Sequence, residues 1–91
     1  MQEFFDKIQA ECDRQNKKWG VRNQHPLVWL SILNEEIGEV GKEINEPGFS
    51  VDNLMLRAYE NELVQCGAVI CQMLKNVQHY KESQMSLEKV A

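Results

Sequence analysis

The chain has 91 residues, 43% of them hydrophobic and 26% charged, with a formal net charge of -4. That is room for one folded domain and not two. The acidic balance argues against general nucleic-acid binding, which needs a basic stripe, and no apolar run approaches the roughly 18 residues of a membrane span.

A nucleotide substrate is not excluded, because a bound cation can invert the local sign of the field. The three cysteines, Cys12, Cys66 and Cys71, are odd in number and form no CxxC pair. A disulfide scaffold or a zinc site is therefore not expected, and buried reduced thiols are. No signal peptide is visible at the N-terminus, so the cytoplasm is the expected compartment. A core of this size is marginal alone, and self-association is expected to complete it.

Residues 2–18 read as a first helix. Phe5, Ile8, Cys12 and Trp19 follow helical spacing with polar residues between them, and Gly20 ends it. Residues 26–46 read as a second helix, with Pro26 in its first turn. Leu30, Leu33, Ile37, Val40 and Ile44 step by three and four to form an apolar stripe. Gly38 and Gly41 interrupt it, each at a cost of up to about 1 kcal/mol against alanine, which points to close approach of another backbone or of a ligand. "EPG" closes the helix. Residues 51–80 read as a long third helix capped by Ser50 or Asp52, with Tyr59, Leu63, Cys66, Ile70, Leu74 and Val77 as its stripe. From Ser83 onward the polar composition leaves a frayed tail or a short extra turn open. No segment alternates as a strand does. The expected fold is a single all-α domain spanning 1–91, a bundle of three main helices.

The second helix carries "LNEEIGEVGKEI", four glutamates in twelve positions. At about 100° per residue, Glu36, Glu39 and Glu43 share a narrow sector with Glu35 at its margin. Val40 and Leu33 lie immediately beside Glu36, so the acids border the apolar seam instead of opposing it. Glu35–Glu39 and Glu39–Glu43 are like-charge i,i+4 pairs, each destabilising by a few tenths of a kcal/mol. No lysine or arginine lies between residues 23 and 41. A divalent cation would relieve the repulsion, and carboxylates are what magnesium and manganese prefer. The third helix offers Glu62 and Gln65 at i,i+3. If helices two and three run antiparallel, the two acidic motifs converge from the edge of a shared core. A solvated acidic face is the alternative.

"EEIGEVGKEI" followed by "ENELVQ" resembles the all-α nucleoside triphosphate pyrophosphohydrolases of the MazG-like superfamily. That pattern is EExxE, a spacer, then ExxD. Glu35, Glu36 and Glu39 match the first motif, Glu62 the first position of the second, and 22 residues separate them. The lead-in "RQNKKWGVRNQHPLVWLSIL" resembles the Trp–His stretch that precedes the acidic helix in that family. The resemblance covers roughly residues 5–75. Gln65 stands where an aspartate is expected and is a weaker ligand for a hard cation. "ELVQ" is similar to a MazG-like subgroup of bacteria and phages.

The resemblance implies hydrolysis of a nucleoside triphosphate between its α and β phosphates, giving the monophosphate and pyrophosphate. It implies Mg2+, with Mn2+ as an alternative, and a homodimer or homotetramer. On this reading Glu36, Glu39 and Glu62 are metal ligands, Gln65 is a weaker one, and Glu35 is a ligand or the base that orients water. Trp19 could stack on the base or anchor a core or a dimer. His25 could touch nucleotide or cap a helix. Lys17, Lys18 and Arg22 could meet phosphates or simply be solvated, and Trp29 is expected in the core. The alternative function is a non-catalytic helical nucleotide-binding or regulatory module. A coiled-coil dimer is a third reading, opposed by the helix-two glycines and Pro47.

Overall fold

A computed structural model describes the backbone of residues 1–90 and the side chains of residues 1–84. It contains three helices and, among the described residues, no strand: α1 Gln2–Trp19, α2 Pro26–Asn45 and α3 Asn53–Val90. The fold is all-α, as the periodicity predicts.

The helix ends follow local chemistry. Gly20 terminates α1 with φ 77°, a left-handed value that suits glycine, and its N–H donates to the Asn16 carbonyl at 2.7 Å. His25 caps α2: its Nδ1 accepts from the Leu27 N–H at 3.0 Å, with Pro26 as the first helical residue. Asp52, one of the two caps expected for α3, accepts from the Met55 N–H at 2.8 Å. The helix α3 then continues to Val90, through the polar stretch after Ser83. Ala91 lies outside the described residues.

The long helix is the spine. Both α1 and α2 pack on α3 and not on each other. The contacts Lys7–Glu60 and Gln15–Gln72 advance together, so α1 runs parallel to α3. Trp29 meets Asn76, whereas Glu43 lies by Met55 and Ala58, so α2 runs antiparallel to α3.

The apolar core within one chain is small: Cys12, Trp29, Cys66, Ala68 and Val69 are its buried members among the described residues. Trp29 is 2% exposed, as expected of a core residue, and all three cysteines are free. Beside them three amides are buried, each hydrogen-bonded. Gln72 Nε2 donates to Gln15 Oε1 at 2.6 Å. Asn76 Oδ1 accepts from Trp29 Nε1 at 2.6 Å and from the Gln24 N–H at 2.8 Å, while its Nδ2 donates to Asn23 Oδ1 at 3.1 Å. Tyr80 Oη donates to the Gln24 carbonyl at 2.8 Å. These bonds fasten the α1–α2 connector to α3.

Two expectations are corrected. The apolar stripes turn inward only in part. Leu33, Val40, Tyr59 and Cys66 face α2–α3 packing, but Leu30, Ile37 (53% exposed), Ile44, Leu63, Ile70, Leu74 and Val77 lie exposed, as do Phe5 and Trp19. Three helices sharing one spine cannot cover both flanks of the α2–α3 seam. The glycines also differ. A Cβ on Gly38 would meet nothing within 4 Å, and one on Gly41 would only touch Asn45, so neither marks a close approach within the chain. The tight crossing is at Gly67, where a Cβ would lie 2.8 Å from Ile8 Cδ1 of α1.

Candidate functional site

The antiparallel pairing of α2 with α3 sets the acidic residues of both helices along one flank of their seam. Glu36, Glu43 and Glu62 are partly buried there, and Glu35 and Glu39 are exposed beside them. Burial first, and then the charges of Glu62, Glu39, Glu11 and Glu35, push the Glu36 carboxyl above its ordinary value. Burial, then Glu39 and Glu43, does the same to Glu62. The Cys66 thiol beneath them is raised by burial and by Glu36 and Glu62. One negative field thus spans both helices.

That field is not neutralised from within. The ion pairs among the described residues join Lys7 to Glu3 and Glu60, Arg14 to Glu11, and Lys42 to Glu46. None of them involves Glu35, Glu36, Glu39, Glu43 or Glu62. Glu11 on α1 behaves oppositely to Glu36. The Arg14 guanidinium grips it at 2.7 and 2.9 Å and holds its carboxyl below the usual range.

A cavity of about 190 Å3 opens beside the acids, with Arg14, Trp19, Arg22, Trp29, Glu36 and Gln65 in its wall. It is smaller than the roughly 300 Å3 of an ordinary small-molecule pocket, so it suits one ring or one phosphate group. Trp19 is 51% exposed and has two cations over its ring, Lys18 Nζ at 4.7 Å and Arg22 Cζ at 5.8 Å from the ring centre. Arg22 also stands 5.7 Å from the Trp29 ring.

The structure therefore brings Trp19, Arg22, Glu36 and Gln65 to one cavity and sets Glu35, Glu39 and Glu62 in the field around it. Lys17 and His25 lie outside the cavity wall: Lys17 is exposed on α1, and the imidazole of His25 is engaged in its cap. Sequence reasoning missed Glu11, Arg14 and Gln15. The signal for them was present: Glu11, Arg14 and Gln15 fall on one face of α1, one to two turns before Trp19.

Among the described residues, no group of three or more His, Cys, Asp or Glu side chains is placed to hold a metal ion. The donor set nevertheless suits a hard cation, being carboxylate and amide oxygen, and its mutual repulsion is what a cation would remove. Compared with protein-family models, curated proteins and solved structures, the chain matches none of them. No helix among the described residues is long and apolar enough to cross a membrane.

Proposed function

We propose that the chain is a magnesium-dependent nucleoside triphosphate pyrophosphohydrolase of the MazG-like all-α type, cleaving a ribo- or deoxynucleoside triphosphate to the monophosphate and pyrophosphate. The observation that carries this reading is the unneutralised carboxylate field of α2 and α3 at the edge of a cavity walled by Trp19 and Arg22. An aromatic face, a guanidinium and a cluster of unpaired carboxylates are what a base, a phosphate and a phosphate-bound cation respectively require.

Mg2+, or Mn2+ in its place, would be held by Glu36, Glu39 and Glu62 with Gln65 as a weaker neutral ligand, and would supply neutralisation of the triphosphate and acidification of a water. Glu35, exposed beside Glu36, serves as a further ligand or takes the proton of the attacking water. Arg22 meets phosphate oxygens, and Trp19 stacks on the base. The partly buried site disfavours ionised carboxylates without a cation, so metal and substrate bind together most favourably.

We also propose that a second copy covers the apolar flank opposite the acids, giving a homodimer or a tetramer built from dimers. Leu30, Ile37 and Ile44 on α2 and Leu56, Leu63, Ile70 and Val77 on α3 repeat every seventh residue and lie exposed. Open Gly38 would let a partner helix approach closely. Free cysteines fit a reducing, cytoplasmic setting. A non-catalytic binding module is the second reading, favoured by one feature: neutral Gln65 in the cavity wall.

The test is pyrophosphate release from a panel of ribo- and deoxynucleoside triphosphates with Mg2+ or Mn2+, run beside the Glu36→Gln, Glu39→Gln double variant. Release by the wild type that the variant lacks establishes the enzyme and its metal site. No release from any substrate, together with no stabilisation by metal, leaves the binding module.

A further inference from the structure

A second cavity, of about 310 Å3, shares Arg22 with the first and lies between the 20–25 connector and the C-terminal half of α3. Its size admits a small phosphorylated molecule. Its wall reverses the charge of the rest of the chain. Arg22, Lys75 and His79 stand there with the amides of Asn23, Gln72 and Asn76, and no lining residue carries a carboxylate. In a chain with 14 Asp and Glu against 10 Lys and Arg, such a wall concentrates potential of the opposite sign.

Neither Arg22 nor Lys75 forms an ion pair among the described residues. The polar contact made by Lys75 Nζ is a weak one to Cys12 Sγ, at 3.7 Å. The amides, by contrast, are held in place. Asn76 spends its oxygen on Trp29 and Gln24 and its nitrogen on Asn23 Oδ1, which fixes Asn23 by its oxygen and leaves its Nδ2 as a donor. A positioned amide donor in one wall with two cations is a suitable recognition set for a tetrahedral oxyanion.

We infer that this cleft binds a phosphate group, free or as a small ester, with Lys75 and Arg22 as charge partners and Asn23 as the neutral donor. The site needs no metal and does not rest on the reading of the acidic cluster. Because Arg22 also walls the acidic cavity, an occupied cleft would draw its guanidinium away from Trp19 and Trp29.

The experiment is calorimetric titration of the full chain with inorganic phosphate and, separately, with a nucleoside monophosphate. It is run in EDTA at constant ionic strength, so that metal-dependent binding at the acids is silent. Saturable binding of either ligand is expected, weakened about tenfold or more by Lys75→Gln and retained by Lys75→Arg. Arg57→Gln, which removes an exposed cation outside the cleft wall, should leave it unchanged. Tighter binding of the monophosphate would identify an ester as the ligand, and equal or tighter binding of phosphate the free anion. Lys75 is exposed, so its loss leaves the fold intact, which circular dichroism checks. No binding of either ligand at millimolar concentration, or binding that survives both Lys75→Gln and Arg22→Gln, overturns the inference. Pyrophosphate release from triphosphates in Mg2+ is read separately, so either proposal can fail alone.

Discussion

Two polar clusters lie along α3 and are built on opposite rules. At the connector end, Asn76, Gln72, Gln15, Asn23 and Trp29 satisfy one another through bonds of 2.6–3.1 Å. At the acidic end, Glu36, Glu39 and Glu62 lack any ion-pair partner among the described residues, and burial with neighbouring carboxylates raises the proton affinity of Glu36 and Glu62. The bonds of the first hold the fold, although the buried Gln24 Nε2 beside them has no partner. The second is open and is unfavourable until something cationic arrives. Glu11 lies between these extremes, close enough to be felt by Glu36 yet gripped by Arg14. A mostly bonded cluster and an unpaired one, a few turns apart along α3, show two uses of polar groups in one small chain.

The comparison can be broken in four ways. The largest effect is expected at the open end: Glu36→Gln with Glu39→Gln should lower pyrophosphate release by at least about 100-fold, measured at saturating Mg2+. At the connector end, Asn76→Leu should cost about 2–3 kcal/mol of stability by stranding Trp29 Nε1 and the Gln24 N–H. Urea titration should give the same loss with and without Mg2+. Third, Mg2+ at about 100 times its Kd should stabilise the wild type by about 2.7 kcal/mol, with a further gain from a non-hydrolysable triphosphate, and the double variant should lose both. A thermal scan in which Asn76→Leu loses the stabilisation by Mg2+ and the double variant keeps it would reverse the assignment of the two clusters.

The smallest effect sharpens the contrast through pH. Burial and neighbouring carboxylates hold Glu36 and Glu62 above the ordinary value of 4.5. A folded carboxyl that binds its proton more tightly than the unfolded one contributes stability fully below the unfolded value. That contribution disappears as pH rises through the folded value. Metal-free protein should therefore gain from these groups as it is acidified from neutrality toward 4.5. Glu11, held low, acts oppositely: its contribution is present above 4.5 and lost as pH falls through its lowered value. In EDTA, Glu36→Gln should be more stable than wild type at neutral pH by a few tenths of a kcal/mol. The difference should shrink on acidification when thermal midpoints are compared.

Helix boundaries were legible because the residues that set them act locally: Gly20, Pro26, Pro47 and Asp52 carry their own geometry. The acidic flank was legible for a related reason. Helical spacing fixes which glutamates share a face, and one antiparallel pairing suffices to join Glu62 to them. What spacing does not encode is which side of a stripe meets a neighbour. Ile37 and Ile70 have the same periodicity as Leu33 and Cys66, yet they fall on the flank that α1 does not cover. The glycines show the same limit. Gly38 and Gly41 stand beside a dense motif and attract attention, but Gly67, in an ordinary helical run, is where Ile8 presses in. His25 looked available for a ligand until its Nδ1 was found on the Leu27 N–H. The amide cluster drew no notice because Gln15, Asn23, Gln72 and Asn76 are polar residues scattered over some sixty positions of sequence.

The arrangement of α1 and α2 around α3 has a consequence for synthesis. Neither of the first two helices packs on the other, and most helical stability in proteins comes from tertiary packing of an amphipathic face. As the chain leaves the ribosome, roughly its first half emerges with apolar surface and no surface to receive it. Docking waits until α3 is made, because Gln15 must find Gln72 and Trp29 must find Asn76 across gaps of 57 and 47 residues. Nascent chains arrested before α3 should therefore be protease-sensitive throughout, and protection should appear in a single step once the spine has cleared the exit tunnel.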